Sequence, residues 1–241
     1  MIGKGKSISH GVAALEYDLA KEINGQAVAT EIARHELYGC TGAEMVQEMK
    51  PYHIDFPNVK NNCLRFEVSP SIEESATFTD ADWAELGSDF MQRMGLANHQ
   101  YIIIRHSGTE SKKEQAHLHI LANRVSLSGE LYRDNWIGKK ATEAANAIAK
   151  ERNFVQSQDI GKVNKAEIKE AMDGVLKKMQ GFDFTKFKEE LGKRGFKVRK
   201  ARASTGKLNG YYVTARSGTE YKASEIGKGY TLAHIERTQS K

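Results

Sequence analysis

Cysteine is scarce in this chain. Only Cys40 and Cys63 occur in 241 residues, and their spacing fits no metal-binding motif. Two thiols cannot build a disulfide framework. A reducing cytoplasm is expected, with both cysteines as buried small hydrophobes. Long apolar runs are missing as well. None approaches the ~20 residues that span a bilayer, so no membrane insertion is expected. The N-terminus lacks the apolar core of a secretory signal. Internal repeats and low-complexity segments are absent. The remaining composition is that of a soluble globular protein, 39% hydrophobic and 28% charged. The length allows one large domain, or one plus a small satellite.

Charge is unevenly spread. Residues 161–241 hold 19 Lys and Arg against 9 Asp and Glu, a balance of +10. Residues 1–160 hold 17 against 22, a balance of −5. A basic tail on an acidic body suggests a polyanionic partner bound mainly through the tail; a solvated basic surface is the plain alternative.

Hydrophobic periodicity sets out the elements. Residues 10–24 read as a helix with Val12, Leu15, Leu19 and Ile23 in one stripe. A second helix starts near Thr41 and runs to Pro51. Asn62–Ser69 alternates as a strand, with Leu64, Phe66 and Val68 on one face and Arg65, Glu67 and Ser69 on the other. A helix over about 80–95 is capped by Thr79 or Asp80, has Asp82 in its first turn and stops at Gly95. Strands at 100–106 and 115–126 and a helix at about 138–152 follow. Near residue 155 the character changes. Helices at about 164–179 and 184–194 precede a hairpin with arms Phe196–Ala203 and Tyr211–Ala215. Gly206 and Asn209-Gly210 are its turn signals, and a short helix near 230–238 closes the pattern. The class is α+β. A central antiparallel β-sheet with helices packed on one face is expected over 1–155, then a small basic α+β unit over 156–241.

The chemistry concentrates on the middle strands. His117 and His119 are two residues apart in Gln115–Asn123, so both imidazoles leave one strand face. His106 ends the apolar run Tyr101–His106. Three imidazoles on adjacent strands make a metal site with open positions for water or substrate. Stacked surface histidines are the plain alternative. Glu67, on the polar face of its strand, is the natural carboxylate to orient one imidazole. Tyr17 lies opposite the stripe of the first helix, among Ala13, Ala14, Ala20 and Lys21. Small neighbours leave its hydroxyl accessible, and Lys21 offers a cation. A free phenol ionises near ~10, so an attacking tyrosine needs a base, a cation or a polarised electrophile. A nucleophilic tyrosine beside a three-histidine metal site suggests phosphodiester transesterification.

At this point the sequence resembles the relaxase/mobilisation nucleases, within the wider His-hydrophobic-His endonucleases. The segments that carry the resemblance are Gly3–Ser7 through Ala14–Tyr17, then Tyr101–His106, then Ala116–Ile120 to Asn123–Val125. It covers roughly residues 1–155 and is looser over 181–241. The resemblance implies that Tyr17 is the nucleophile, that His106, His117 and His119 are the metal ligands, and that Glu67 supports a ligand histidine. It implies nicking of one strand at a transfer origin, with the enzyme left on the 5′ end and conjugative mobilisation begun. It also implies Mg²⁺ or Mn²⁺, accessory mobilisation proteins and a coupling protein, in a bacterial cytoplasm. By donor type alone, an all-imidazole set suits softer metals such as Zn or Ni. The sequence departs from the family where an acid often stands two residues after the first histidine. Here that residue is Gly108, the nearest acid is Glu110, and the loop to His117 is longer than usual.

Rolling-circle replication initiators and single-strand transposases share this chemistry, but there the tyrosine commonly follows the histidines. Here Tyr17 precedes them. A non-catalytic single-strand-binding accessory protein would need neither the triad nor an exposed tyrosine. For DNA contact, Lys197, Arg199, Lys200 and Arg202 offer phosphate partners on a β-ribbon, and Lys4, Lys6 and Lys21 lie near Tyr17. Tyr211, Tyr212 and Phe182 would stack on unpaired bases or fill the small C-terminal core.

Overall fold

The structure, a computed structural model, describes residues 1–108, 115–202 and 208–239. The chain divides into two units, Met1–Ser157 and Gln158–Lys241. In chain order the first contains β1 (Ile2–Ile8), α1 (Gly11–Leu19), β2 (Glu22–Ile23), β3 (Gln26–Ala27), β4 (Ala29–His35) and α2 (Gly42–Met49). Then come β5 (Cys63–Ser69), α3 (Ile72–Ser75), α4 (Asp80–Arg93), β6 (His99–His106), β7 (His117–Ser126) and α5 (Ile137–Glu151). Five strands form one antiparallel sheet in the order β1-β5-β7-β6-β4. The α+β class and the antiparallel sheet are as expected.

The alternation along β5, β6 and β7 separates two cores. Leu64, Phe66, Val68, Ile103, Leu118 and Ile120 face α4 and α5, with Trp83, Leu86, Phe90, Ala141, Ala145 and Ile148 against them. Helices also reach the other face. There Leu15, Met45, Val46 and Met49 of α1 and α2 pack on Cys63, Ile102, Ile104 and Leu121. The polar residues of the sheet are therefore flanked by a second, smaller core. Helix starts follow their caps: Thr41 with Glu44, and Thr79 with Asp82, each form a reciprocal capping box.

The run Gly3-Lys4-Gly5-Lys6 shows how β1 serves both sides. A Cβ on Gly3 would overlap Ala141 O and Ala145 Cβ, and one on Gly5 would come within 2.8 Å of the Phe66 ring. Only glycine lets α5 lie this close to the strand. The alternate residues Lys4 and Lys6 are exposed and line the groove beside His119.

Several local expectations change. Helix α1 ends at Leu19, not near 24. Asn24 and Gly25 both have positive φ, 54° and 74°, and turn the β2–β3 hairpin. Asn-Gly is the dipeptide that a two-residue hairpin favours. Val12 is exposed and Ile23 lies beyond the helix; Gly11, Ala14, Leu15 and Asp18 form the buried face instead. β4, an edge strand rich in polar residues and bulged between Glu31 and Ala33, had no counterpart in the sequence reading. Cys63 is buried, and burial pushes its thiol up to about 11. Cys40 is exposed, against expectation. Its loop position places it outside any apolar stripe.

The second unit contains most of α6 (Ser157–Leu176), α7 (Phe184–Lys193), β8 (Lys197–Arg202), β9 (Leu208–Thr214), β10 (Glu220–Lys222), α8 (Ala223–Ile226) and α9 (Leu232–Gln239). Its sheet runs β10-β9-β8 and has its own core, including Ile168, Met172, Phe187, Leu191, Phe196, Val198, Tyr211 and Val213. The sequence placed the hairpin correctly but not its turn. Asn209-Gly210 lies inside β9, and Gly206 falls outside the described residues. No helix among the described residues is long and apolar enough to cross a membrane.

Candidate metal centre and nuclease site

Three imidazoles converge where the strand register puts them. His106 of β6 pairs with His117 of β7, and Ile104 pairs with His119. One nitrogen of each histidine lies within 4.8 Å of the other two. His117 Nε2 and His119 Nε2 are 3.1 Å apart. Two nitrogens each about 2.1 Å from one ion sit at about that separation, so the donor set fits a divalent metal. His106 and His117 are buried and His119 nearly so. Burial, with the neighbouring imidazoles, Arg65 and Lys4 adding to it, pushes His119 down to about 2. Burial also lowers His106. Neutral imidazoles present lone pairs, which is what a metal requires.

The rings are held by specific partners. His117 Nδ1–H donates to Gln115 O at 3.1 Å, which leaves its Nε2 as the acceptor nitrogen. His106 Nε2–H donates to the backbone carbonyl of Asp18 at 2.7 Å. Asp18 also accepts from Arg65 at 3.0 and 2.5 Å, and its Oδ1 stands 3.9 Å from His119 Nδ1. Burial pushes the Asp18 carboxyl up, against the opposing pull of the Arg65 guanidinium. Arg65 also approaches His119 Nδ1 at 3.4 Å.

Asp18 is the residue that sequence reasoning missed. Its signal was present: it falls three and four residues after Leu15 and Ala14, on the buried face of α1, where a charge needs a partner. Truncation by Asp18→Ala leaves Arg65 facing that interior unpaired. The expected cost is about 3 kcal/mol, the lower end for breaking a buried pair, because Arg65 keeps some exposure. Urea denaturation measures it. A loss below about 1 kcal/mol would mean that solvent screens the pair.

Tyr17, the preceding residue, is 56% exposed. Lys21 Nζ donates to its hydroxyl at 2.7 Å and lies 4.8 Å from the ring centre. Glu67 faces His119 in the strand register, yet its carboxylate accepts from Lys4 at 2.9 Å. The carboxylate beside an imidazole is that of Asp18. Lys4, Lys6, Arg65, Glu67 and His119, with Gly5 and Phe66, line a groove of about 220 Å³. Three cations and one acid on one wall suit a phosphate chain. Glu110 falls outside the described residues.

The nuclease-domain model of the MobA/VirD2-like relaxases matches residues 17–154, more than half of the chain. The chain belongs to that relaxase family. The match starts at Tyr17 and takes in all three histidines of the cluster. Relaxases nick DNA, so the first unit carries the nuclease domain of an enzyme family. No curated protein sequence matches this relaxase. Among solved structures, it is similar to the conjugative relaxase TrwC in complex with oriT DNA, in its metal-bound structure. Identity is 12%, the TM-score is 0.36, and the likeness covers 86% of this chain and 75% of that one.

In the second unit, Lys197, Arg199, Lys200 and Arg202 are exposed on β8 but not equivalent. Arg199 donates to Glu220 at 2.7 and 3.1 Å and stacks 4.3 Å from the Tyr212 ring. Lys200 Nζ sits 4.9 Å from the Phe184 ring. Tyr211 is buried, and Phe182 packs with Phe187, so both belong to the core. Tyr212 remains half-buried beside Arg199.

Proposed function

We propose that this relaxase nicks one DNA strand at a transfer origin by tyrosine transesterification and so begins conjugative mobilisation. One observation carries the reading: the residue after Tyr17 touches the histidine cluster. The Asp18 carbonyl accepts from His106 and its carboxylate lies near His119, so the helix bearing the tyrosine is anchored at the candidate metal centre.

His106, His117 and His119 would hold the metal, Mg²⁺ or Mn²⁺ in this family. Bound there, it would supply Lewis-acid stabilisation of the charge on the scissile phosphate. The residues do the rest. Lys21 donates a hydrogen bond to the Tyr17 hydroxyl and places a cation beside the attacking oxygen. Tyr17 Oη attacks phosphorus in line, a new Oη–P bond forms, the P–O3′ bond breaks, and the 3′ oxygen leaves with a proton as a hydroxyl. The 5′-phosphotyrosine keeps the bond energy for later resealing. Arg65, held in place by Asp18, is the group at the second ring nitrogen of His119. Glu67, assigned from sequence to that task, instead holds Lys4 in the groove, where Lys4 and Lys6 track the strand.

Residues 1–155 are assigned as the catalytic domain and 156–241 as a basic DNA-binding or accessory region. Accessory mobilisation proteins and a coupling protein in a bacterial cytoplasm are the expected partners. The test is a protein–DNA adduct on a denaturing gel, from Mn²⁺ and single-stranded oligonucleotides tiling the DNA upstream of the gene. Cleavage without an adduct would make water the nucleophile. For the tail, Lys197→Ala should reduce the slope of log K against log salt by about 1. An unchanged slope in fluorescence anisotropy removes Lys197 from the phosphate contacts.

A further inference from the structure

Trp136 is 80% exposed, the largest exposure among the apolar side chains that stay open to solvent. It precedes α5 with φ 59° and ψ 26°, a left-handed backbone that any side chain with a Cβ disfavours. Its indole caps nothing. Residues held in such conformations, when the surroundings fix them, concentrate at functional sites. Here the surroundings do fix it. Arg124 donates to Tyr132 O at 3.1 Å, to Asn61 O at 2.9 Å and to Asp134 Oδ1 at 2.7 Å. The Ile137 N–H donates to Asp134 O at 3.1 Å, and Lys140 Nζ to Arg133 O at 2.8 Å. A rigid turn therefore presents a large aromatic ring to solvent.

Its neighbourhood names the occupant. Arg133 and Lys139 are exposed on either side of it in sequence. Two residues on, Gly138 faces Gly5 O across the close contact between α5 and β1: a Cβ there would be 3.5 Å away. Gly5 lines the groove that holds Lys4, Lys6 and His119. β1 is the edge strand of the sheet, so a chain of phosphates leaving the metal centre past Lys4 and Lys6 has to turn over that edge to reach the ring at the start of α5. Tyr38, also widely exposed, contrasts with this. Its hydroxyl donates to Glu36 and its backbone N–H to Glu48, a setting that repels a polyanion.

We propose that Trp136 is a stacking platform for an unpaired base of the strand whose phosphate lies at the His106–His117–His119 centre. This rests on the nuclease reading above. A ring is suited to the task because every base offers a π-face, so it grips without reading sequence, while Arg133 and Lys139 meet the flanking phosphates.

The two tryptophans make the test direct. Trp83 is buried, so the change in emission on binding comes from Trp136. Titration of the full chain with oligothymidylate should quench that emission. By anisotropy, Trp136→Ala should weaken binding by about 5- to 150-fold, the range for losing one base–aromatic stack. Trp136→Phe should recover most of it. Trp136→Gly should lose binding as alanine does yet raise the thermal midpoint, because glycine accepts the left-handed backbone. Mn²⁺ stoichiometry by calorimetry should not change in any variant. Unquenched emission at saturating DNA, or wild-type affinity in Trp136→Ala, overturns the proposal. So does a dimer that Trp136→Ala breaks with DNA affinity intact, which would make the ring a contact between copies of the chain. Failure of the wild type to bind any single strand overturns this proposal and the nuclease reading together. Binding indifferent to Trp136 overturns this proposal alone.

Discussion

Tyr17→Phe abolishes the covalent adduct while single-strand binding stays within a few-fold. Removing one hydroxyl oxygen removes the attacking atom and leaves the ring, the helix and the groove in place. Phenylalanine keeps the packing of a side chain that is already more than half exposed, so the fold should be indifferent. The size of the effect follows from the chemistry: without Oη no phosphotyrosine can form, and the loss is limited only by the gel's detection. The hydrogen bond from Lys21 goes with it, but an exposed pair of this kind contributes little to stability. A strand still cut at full rate by Tyr17→Phe would transfer the attack to water and end the nucleophile assignment.

His119→Ala loses metal and nicking together. His119 has its Nε2 3.1 Å from that of His117, and it is the histidine of the three that lines the groove. Two imidazoles remain after the change, too few to hold a divalent ion firmly. A bound ion supplies several kcal/mol of stabilisation to the charge that develops on phosphate, and ~4 kcal/mol is about a thousandfold in rate. The nicking rate should fall by at least that much. The ring occupies a place where burial and four neighbouring groups, His106, His117, Arg65 and Lys4, oppose a proton. Calorimetry with Mn²⁺ decides the matter. Unchanged stoichiometry in His119→Ala would remove the residue from the ligand set.

Much of this was legible because local patterns and the tertiary structure agree. Strand alternation put His106, His117 and His119 on one face. The capping residues Thr41 and Thr79 marked their helices. What was not legible required contacts between distant segments. Nothing in Gly11–Leu19 alone announces that Asp18 will meet Arg65, 47 residues away. Its place on the buried side, next to Ala14 and Leu15, says that it needs a partner but not which one. β4 escaped because an edge strand buries little and therefore needs few apolar residues. The Asn24-Gly25 turn was visible in principle but was overridden by an apolar stripe carried too far. The orientation of Glu67 toward Lys4 rather than an imidazole depends on which cation β1 brings alongside, and that is set by register, not by Glu67's own neighbours.

The alternation in Gly3-Lys4-Gly5-Lys6 couples two surfaces of this chain through one strand. Along β1, helix packing and strand tracking are assigned to odd and even positions. A slide of β1 by one place against β5 would exchange the two assignments at once. It would drive a lysine into Ala141 and leave glycines facing the DNA. Register and glycine spacing in β1 are thus tied together, whereas substitutions at the exposed Lys4 and Lys6 should be tolerated by the fold and felt only by whatever lies in the groove.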